Sequence, residues 1–278
     1  LVTVQIQQAL FRYLISSNTL IEKKNFITSA LVYVGGASLI CYPVVYLILK
    51  NMGIDSYISL LICILFLSEA FYFLIGQIVR GLGHNLKYSI GVVVYAILNL
   101  ILTAITLIVF KIGLVGAIFS LTIGYLGANI YMFFATGIFR FFSLKVFSSR
   151  YLKELLKFSI PIVPSSIALW IVNLSDRLII IKYLGSSANG IYAAANKIPF
   201  LYSTVYNIFN LAWTETASRV LEDGKPDKYY SDLFSKLYKF LIGTMLILIA
   251  ITPLLFLLLI RGNYKEAYYH IPILYFAV

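Results

Sequence analysis

Three ionisable residues, Asp176, Arg177 and Lys197, stand between long apolar runs and are the first candidates for chemistry. They fall in the stretch NLSDRLIIIKYLGSSANGIYAAANK, residues 173–197. A charge at the centre of a membrane helix costs at least about 2.5 kcal/mol, so such residues usually face a partner, a bundle interior or water. One anion against two cations leaves a surplus positive charge. Because the guanidinium fork matches phosphate oxygens, this surplus indicates an anionic ligand, with phosphate the natural choice.

The helices that must position these residues are predicted to form an antiparallel hairpin that turns near residue 186. Asp176 is then level with Lys197, and two interpretations of this pair are open. The two side chains form an ion pair that locks the hairpin, as buried charges usually do, or they share a binding site with Arg177.

Polar residues follow one face of each hairpin helix at helical spacing. Asn173 and Arg177 are four residues apart on the first helix, and Asn207 and Asn210 are three apart on the second. Residues three or four apart share a helix face. Two such stripes on neighbouring helices predict a shared aqueous or substrate-facing wall.

Two further charges lie in the segment LFLSEAFYFLIGQIVRG. Glu69 is in mid-span, and no basic residue of its own span lies near its depth. It either carries a proton and acts as a neutral hydrogen-bonding group, or faces a cavity where it could couple transport to a proton or cation. Arg80 lies at the cytoplasmic mouth of the span. It is interpreted as a positive-inside anchor or as an entry contact for an anionic headgroup.

The composition places the chain in a membrane. It is 61% hydrophobic and only 12% charged, whereas soluble domains are about a quarter charged. The net charge of +11 is attributed to positive residues that flank spans, rather than to nucleic-acid binding. Cys41 and Cys63 lie in apolar runs and are expected to be small hydrophobes. No metal or nucleotide motif appears, so no cofactor is expected.

Seven apolar runs are long enough to cross a bilayer, since a spanning helix needs about 20 mostly apolar residues. They lie near residues 26–49, 57–79, 88–110, 113–138, 158–183, 188–218 and 236–260, with an incomplete eighth run from about 267. The segments on one side of these spans, 1–25, 80–87, 139–157 and 219–239, hold fifteen Lys and Arg, against five on the other side. The positive-inside rule places the first group in the cytoplasm.

The longest inner connection, residues 139–157, is basic and amphipathic, and is expected to lie on anionic headgroups. It predicts a division into a first helical block, 1–138, a linker, 139–157, and a second block, 158–278. The sequence begins without Met and ends inside an apolar run. We therefore expect an all-α, polytopic membrane protein that is incomplete.

The segment LLKFSIPIVPSSIALWIVNLSDRLIIIKYLGSSANGIYAAANKIP (155–199), followed by FNLAWTETASR (209–219), resembles the Wzx-type polysaccharide flippases. QIVRGLGHNLKYSIGVV (77–93) resembles the loop after the fourth span of that family. The flippases belong to the superfamily of the MATE exporters and the lipid II flippase. The resemblance implies a two-lobed helical bundle around a central cavity, of which this chain holds spans three to ten, and no enzyme activity.

The resemblance also implies a function in the bacterial or archaeal cell (inner) membrane. The family moves undecaprenyl-diphosphate-linked oligosaccharides, such as O-antigen repeat units, to the periplasmic leaflet by alternating access. Membrane lipids, the polysaccharide polymerase machinery and a coupling ion, H⁺ or Na⁺, are the expected partners. Arg177 and Lys197 would hold diphosphate or acidic sugar, and Asn173, Asn207 and Asn210 would donate or accept hydrogen bonds. Asp176 or Glu69 would carry the coupling ion.

Three other functions compete with this one. A MATE-like drug or cation antiporter would favour acidic residues in its cavity. An integral-membrane glycosyltransferase or polymerase usually needs a substantial loop with catalytic carboxylates or His, and the outer loops here are very short. A non-transporting scaffold of the polysaccharide machinery is the third, and a transport assay separates it from the flippase.

Overall fold

The computed structural model describes residues 3–17, 19–220, 226–260 and 264–277, with side chains at all of these positions except 211, 212, 214–220 and 226–230. The described residues are mainly helical and contain no strand. The helices are α1 (Ile6–Ser16), α2 (Leu20–Asn51), α3 (Ser56–Gly81), α4 (Asn85–Ala104), α5 (Leu114–Thr136), α6 (Ser149–Ser159), α7 (Val163–Val220), α8 (Pro226–Leu259) and α9 (Ala267–Ala277). A π-helical turn, Ile105–Val109, continues α4. The predicted all-α class is confirmed.

Six helical runs of the described chain are long and apolar enough to cross a membrane. They are Leu20–Asn51, Ser56–Gly81, Asn85–Val109, Leu114–Thr136, Ser149–Asn210 and Ser231–Leu259. Large apolar side chains on them are exposed, for example Leu39 at 79% and Leu100 at 71%. Exposed apolar faces of this extent mark a surface that lipid covers rather than water. The chain is therefore a multi-pass membrane protein.

The run Ser149–Asn210 is longer than one span because it includes a break at Gly185. Gly185 has φ 85° and ψ 174°, a conformation that glycine adopts without strain. The Tyr192 hydroxyl donates a hydrogen bond of 3.1 Å to Asp176 Oδ2. Sixteen residues of continuous helix would separate these positions by about 24 Å, so the chain reverses between them. The two spans predicted on either side of residue 186 are thus the arms of one broken helix.

The described chain divides into two compact units, residues 1–167 and 168–278. In the first unit α3 packs against α5, α4 against α5, and α1 against α3. The helix α1 buries Ile6, Leu10 and Leu14 completely. These residues are spaced by four, so a single face of α1 joins the core.

The segment between α5 and α7 is fixed to the first unit. Ile138 and Leu155 are fully buried in its core. The Ser143 amide donates to the Thr28 hydroxyl at 3.3 Å, and the Ser29 hydroxyl donates to the Ser148 carbonyl at 3.3 Å. The apolar face of α6 therefore packs on protein, on α1 and α2, rather than on lipid as the sequence predicted. The division into two lobes at residues 139–157 stays a prediction.

In the second unit α9 packs against α8 and against the second arm of α7. Small side chains on that arm, Ala194 and Ala195, lie in one buried cluster with Ile271 and Tyr275 of α9. Tyr275 Oη and Thr252 Oγ1 are 3.0 Å apart, which satisfies both hydroxyls inside the cluster. The second arm of α7 is thereby held by its neighbours.

Candidate functional site

The hairpin of α7 carries the charges that the sequence singled out. Asp176 is exposed on the first arm, and its partner is the Tyr192 hydroxyl of the second arm. With Asp176 opposite Tyr192, Lys197 lies five residues, or about 7.5 Å, further along the second arm. The structure therefore does not form the ion pair between Asp176 and Lys197 that one interpretation proposed.

Two cations of this hairpin have no ion-pair partner among the side chains that the structure describes. Arg177 and Lys197 are both exposed. Among the side chains that the structure describes, the one ion pair within 4.0 Å joins Arg150 and Glu154, on α6. Arg177 lies eight residues before the reversal, or about 12 Å along its arm. The arrangement therefore exposes two positive groups within the two predicted spans of the hairpin.

Only part of the predicted polar stripes lies near these cations. Asn173 lies one turn from Arg177 on the same face, but its Nδ2 donates to the Leu169 carbonyl at 2.8 Å. Asn207 and Asn210 are exposed, and they lie ten and thirteen residues beyond Lys197, roughly 15–20 Å along the arm. The residue that sequence reasoning missed is Tyr192, whose one signal was its position a few residues after the turn of the predicted hairpin.

Glu69 lies in a second polar cluster, in the first unit. The Tyr125 hydroxyl of α5 donates to Glu69 Oε1 at 3.4 Å. The Tyr125 ring stacks on the Tyr95 ring with a centroid distance of 4.5 Å and an angle of 19°, and Tyr72 lies against both rings. Glu69 is half-buried. A carboxyl group beside a hydroxyl between three spans can hold a proton or a small cation.

Asn129 extends this cluster by one turn of α5 below Tyr125. Its Nδ2 donates to the Ser68 carbonyl at 2.8 Å, next to Glu69 in the chain. Its Oδ1 is buried and has no hydrogen-bond partner among the described residues. A buried acceptor without a donor costs about 1–3 kcal/mol, so this oxygen favours a donor or a cation close to Glu69.

Arg80 is held by packing rather than presented to solvent. Its side chain is buried, with 5% exposed, and Nη1 donates to Gln77 Oε1 at 3.1 Å. The guanidinium carbon lies 4.5 Å from the centroid of the Phe11 ring and 5.6 Å from that of Tyr88. These contacts join α1, α3 and α4, so Arg80 packs three helices together. Its role as a positive-inside anchor stays a prediction, and so does its contact with a headgroup.

The other cation at this mouth is also engaged. Lys87 Nζ donates to the Ala135 carbonyl at 2.7 Å, at the end of α5, where a positive charge complements the helix dipole. Burial, and then the charge of Lys87, lower the pKa of His84. His84 is therefore neutral at neutral pH, and it adds no charge to this mouth. No group of three His, Cys, Asp or Glu that could hold a metal ion occurs in the part of the chain that the structure describes.

A model of the family described as "Polysaccharide biosynthesis protein" matches residues 17–268. The chain belongs to this polysaccharide biosynthesis family. No curated protein matches the chain. The family assignment covers both polar clusters, because Glu69 and the α7 hairpin lie inside the matched range.

Solved structures show the fold of this polysaccharide biosynthesis protein. A crystal structure of a MATE point mutant has a TM-score of 0.71 at 18% identity, over 98% of this chain and 66% of that one. A MATE crystal structure in the straight conformation has a TM-score of 0.69 at 18% identity, over 98% and 66%. An outward-facing multidrug resistance MATE family transporter of the MOP superfamily has a TM-score of 0.71 at 17% identity, over 97% and 64%. The chain thus has a MATE-like fold and spans about two thirds of the length of these structures.

Proposed function

We propose that the full protein is a flippase that moves lipid-linked oligosaccharide across the cell membrane of a bacterium or archaeon. The headgroup of such a substrate is polar and carries a diphosphate, and its undecaprenyl tail can stay in the bilayer. Alternating access between the leaflets would move the headgroup from the cytoplasmic side to the periplasmic side. The fold supports transport, and the family description supports polysaccharide biosynthesis as its setting.

The observation that carries this proposal is the absence of any anionic side chain paired with Arg177 or Lys197 in the described part of the chain. Asp176, the carboxylate next to Arg177 in the chain, accepts its hydrogen bond from Tyr192 instead. A charged hydrogen bond contributes about 1.5–3 kcal/mol, and phosphate can accept one from each cation. Asn173, Asn207 and Asn210 would contact the sugars, and Arg80 the entering headgroup. Glu69, or Asp176, would carry a coupling H⁺ or Na⁺.

The decisive experiment is complementation of a flippase-null bacterium with the full-length protein. Arg177→Ala, Lys197→Ala and the double variant are compared with Lys182→Ala, an exposed cation near the outer end of the same arm. Loss of one charged hydrogen bond corresponds to a decrease of about 10- to 150-fold in apparent affinity. Surface glycan should therefore fall in the first three variants and not in Lys182→Ala. Unchanged glycan in the double variant would remove both residues from the substrate site.

A MATE-like drug or cation antiporter is the second candidate, because the solved structures of this fold include a multidrug resistance transporter. Two uncompensated cations would repel a cationic drug. Under this alternative, Arg177→Ala leaves glycan export unaffected, and cells that carry the protein become resistant to cationic drugs. Measuring glycan export and drug resistance in the same strains separates the two functions.

A further inference from the structure

The connection between α5 and α6 has a surface that the transport proposal does not use. Residues 139–147 expose four large apolar side chains: Phe139 at 49%, Phe142 at 40%, Leu144 at 68% and Phe147 at 41%. Two exposed cations, Arg140 and Lys145, alternate with them, and no acidic residue occurs in this segment. We call these six residues the cationic-aromatic strip.

The backbone of the strip is hydrogen-bonded to α2. The Ser143 amide donates to Thr28 Oγ1, and the Thr28 hydroxyl in turn donates to the Phe141 carbonyl at 3.3 Å. Thr28 is fully buried in α2. Ile138, immediately before the strip, is also fully buried. The exposed side chains therefore project from a fixed scaffold.

These contacts also set the depth of the strip. Thr28 lies in the first turn of the apolar run 26–49 of α2, and α5 ends at Thr136, just before the strip. Both positions mark the cytoplasmic boundary of a span under the positive-inside assignment. The exposed Phe and Leu side chains thus lie at the level where headgroups meet acyl chains.

We propose that the cationic-aromatic strip binds anionic phospholipids of the cytoplasmic leaflet. The apolar side chains would enter the interface, as Phe and Leu do in interfacial segments. Arg140 and Lys145 would meet lipid phosphates, and each cation near such a surface contributes about 1 kcal/mol. The Arg140 guanidinium lies 5.5 Å from the Phe139 ring centroid, so charge and apolar surface are presented together. The strip would then fix the first unit to the leaflet independently of what is transported.

The first test measures binding of short-chain lipid to the full-length protein in detergent. Dihexanoylphosphatidylglycerol should bind more tightly than dihexanoylphosphatidylcholine. In Arg140→Gln/Lys145→Gln, the Kd for the anionic lipid should rise about 25-fold, since 1 kcal/mol per cation is about fivefold. The matched control is Lys153→Gln/Lys157→Gln, which removes the same charge from exposed positions of α6 and should leave this Kd nearly unchanged. All variants should keep the Tm of the wild type because these side chains are exposed.

The second test measures depth with bimane attached at Leu144→Cys, in a background without other cysteines, in vesicles of phosphatidylglycerol and phosphatidylcholine. Shallow doxyl-labelled lipid should quench the fluorophore more strongly than aqueous iodide. Equal Kd for the two lipids, equal losses in the two double variants, or dominant quenching by iodide would each overturn the proposal. Quenching by neither would overturn it as well, because a protein partner would then cover the strip.

Discussion

Arg80 provides a direct test of whether a buried cation holds the fold or binds a ligand. Its guanidinium contacts the Phe11 and Tyr88 rings and the Gln77 amide. Buried cation–π contacts contribute roughly 0.5–2 kcal/mol each, and a charged hydrogen bond about 1.5–3 kcal/mol. Arg80→Gln should therefore lower the free energy of unfolding by about 3 kcal/mol. Arg80→Lys should recover only part of this loss because it lacks the planar fork.

Thermal unfolding of the purified full-length protein in detergent would measure this effect. A double-mutant cycle with Phe11→Leu isolates the cation–π contact, since contacting residues show non-additive changes. The control is Arg150→Gln, which removes an ion pair with Glu154 from a side chain that is 84% exposed. Such a surface pair within one helix contributes about 0.3–0.5 kcal/mol. If Arg80→Gln unfolds like this control yet abolishes glycan export, Arg80 contacts the headgroup and the anchor interpretation is wrong.

The helix packing and the polar cluster of the first unit give two further predictions. A Cβ at Gly91 would lie 2.6 Å from a side-chain carbon of Met132, on the facing helix α5. Gly91→Val should therefore destabilise the protein by about 1–3 kcal/mol. A Cβ at Gly243 meets no atom within 4 Å, so Gly243→Val should leave the stability unchanged. Equal Tm values for the two variants would contradict the close packing of α4 on α5. Glu69→Gln should abolish the dependence of transport on an H⁺ or Na⁺ gradient, and Tyr125→Phe should weaken it through loss of the 3.4 Å hydrogen bond. Flux measured in vesicles with and without each gradient checks this, and an unchanged dependence in Glu69→Gln would exclude the carboxyl group as the coupling site.

The spans were predictable from the sequence because lipid imposes one local rule on each of them. An apolar run of sufficient length forms a helix whose backbone groups bond internally. The reversal near residue 186 was also predictable, since it lies between two such runs and includes Gly185. The register of the two arms was not predictable, because shifting one arm by a few residues along the other leaves both runs apolar. In the structure Asp176 lies opposite Tyr192, and not level with Lys197 as the sequence predicted.

Contacts between segments that are far apart in the sequence could not be predicted from local patterns. Tyr125 and Glu69 are 56 residues apart, and nothing near either residue indicates that α3 and α5 adjoin at this depth. The amphipathic pattern of α6 was recognised, but amphipathicity does not say whether the apolar face meets lipid or protein. Leu155 is fully buried in the first unit, so protein contacts replaced the predicted lipid there. The exposed apolar side chains of the preceding segment remain available for lipid.

The cations of the two units differ in how they are compensated. In the first unit, Arg80 and Lys87 are satisfied by aromatic rings, an amide and a helix-end carbonyl. In the second unit, Arg177 and Lys197 have no comparable partner among the described side chains. A cation at membrane depth stays charged only where water or an anion reaches it. An anionic headgroup would replace that water with a stronger partner, whereas a cationic substrate would face repulsion. This asymmetry favours the flippase over the cation antiporter, although the two share a fold.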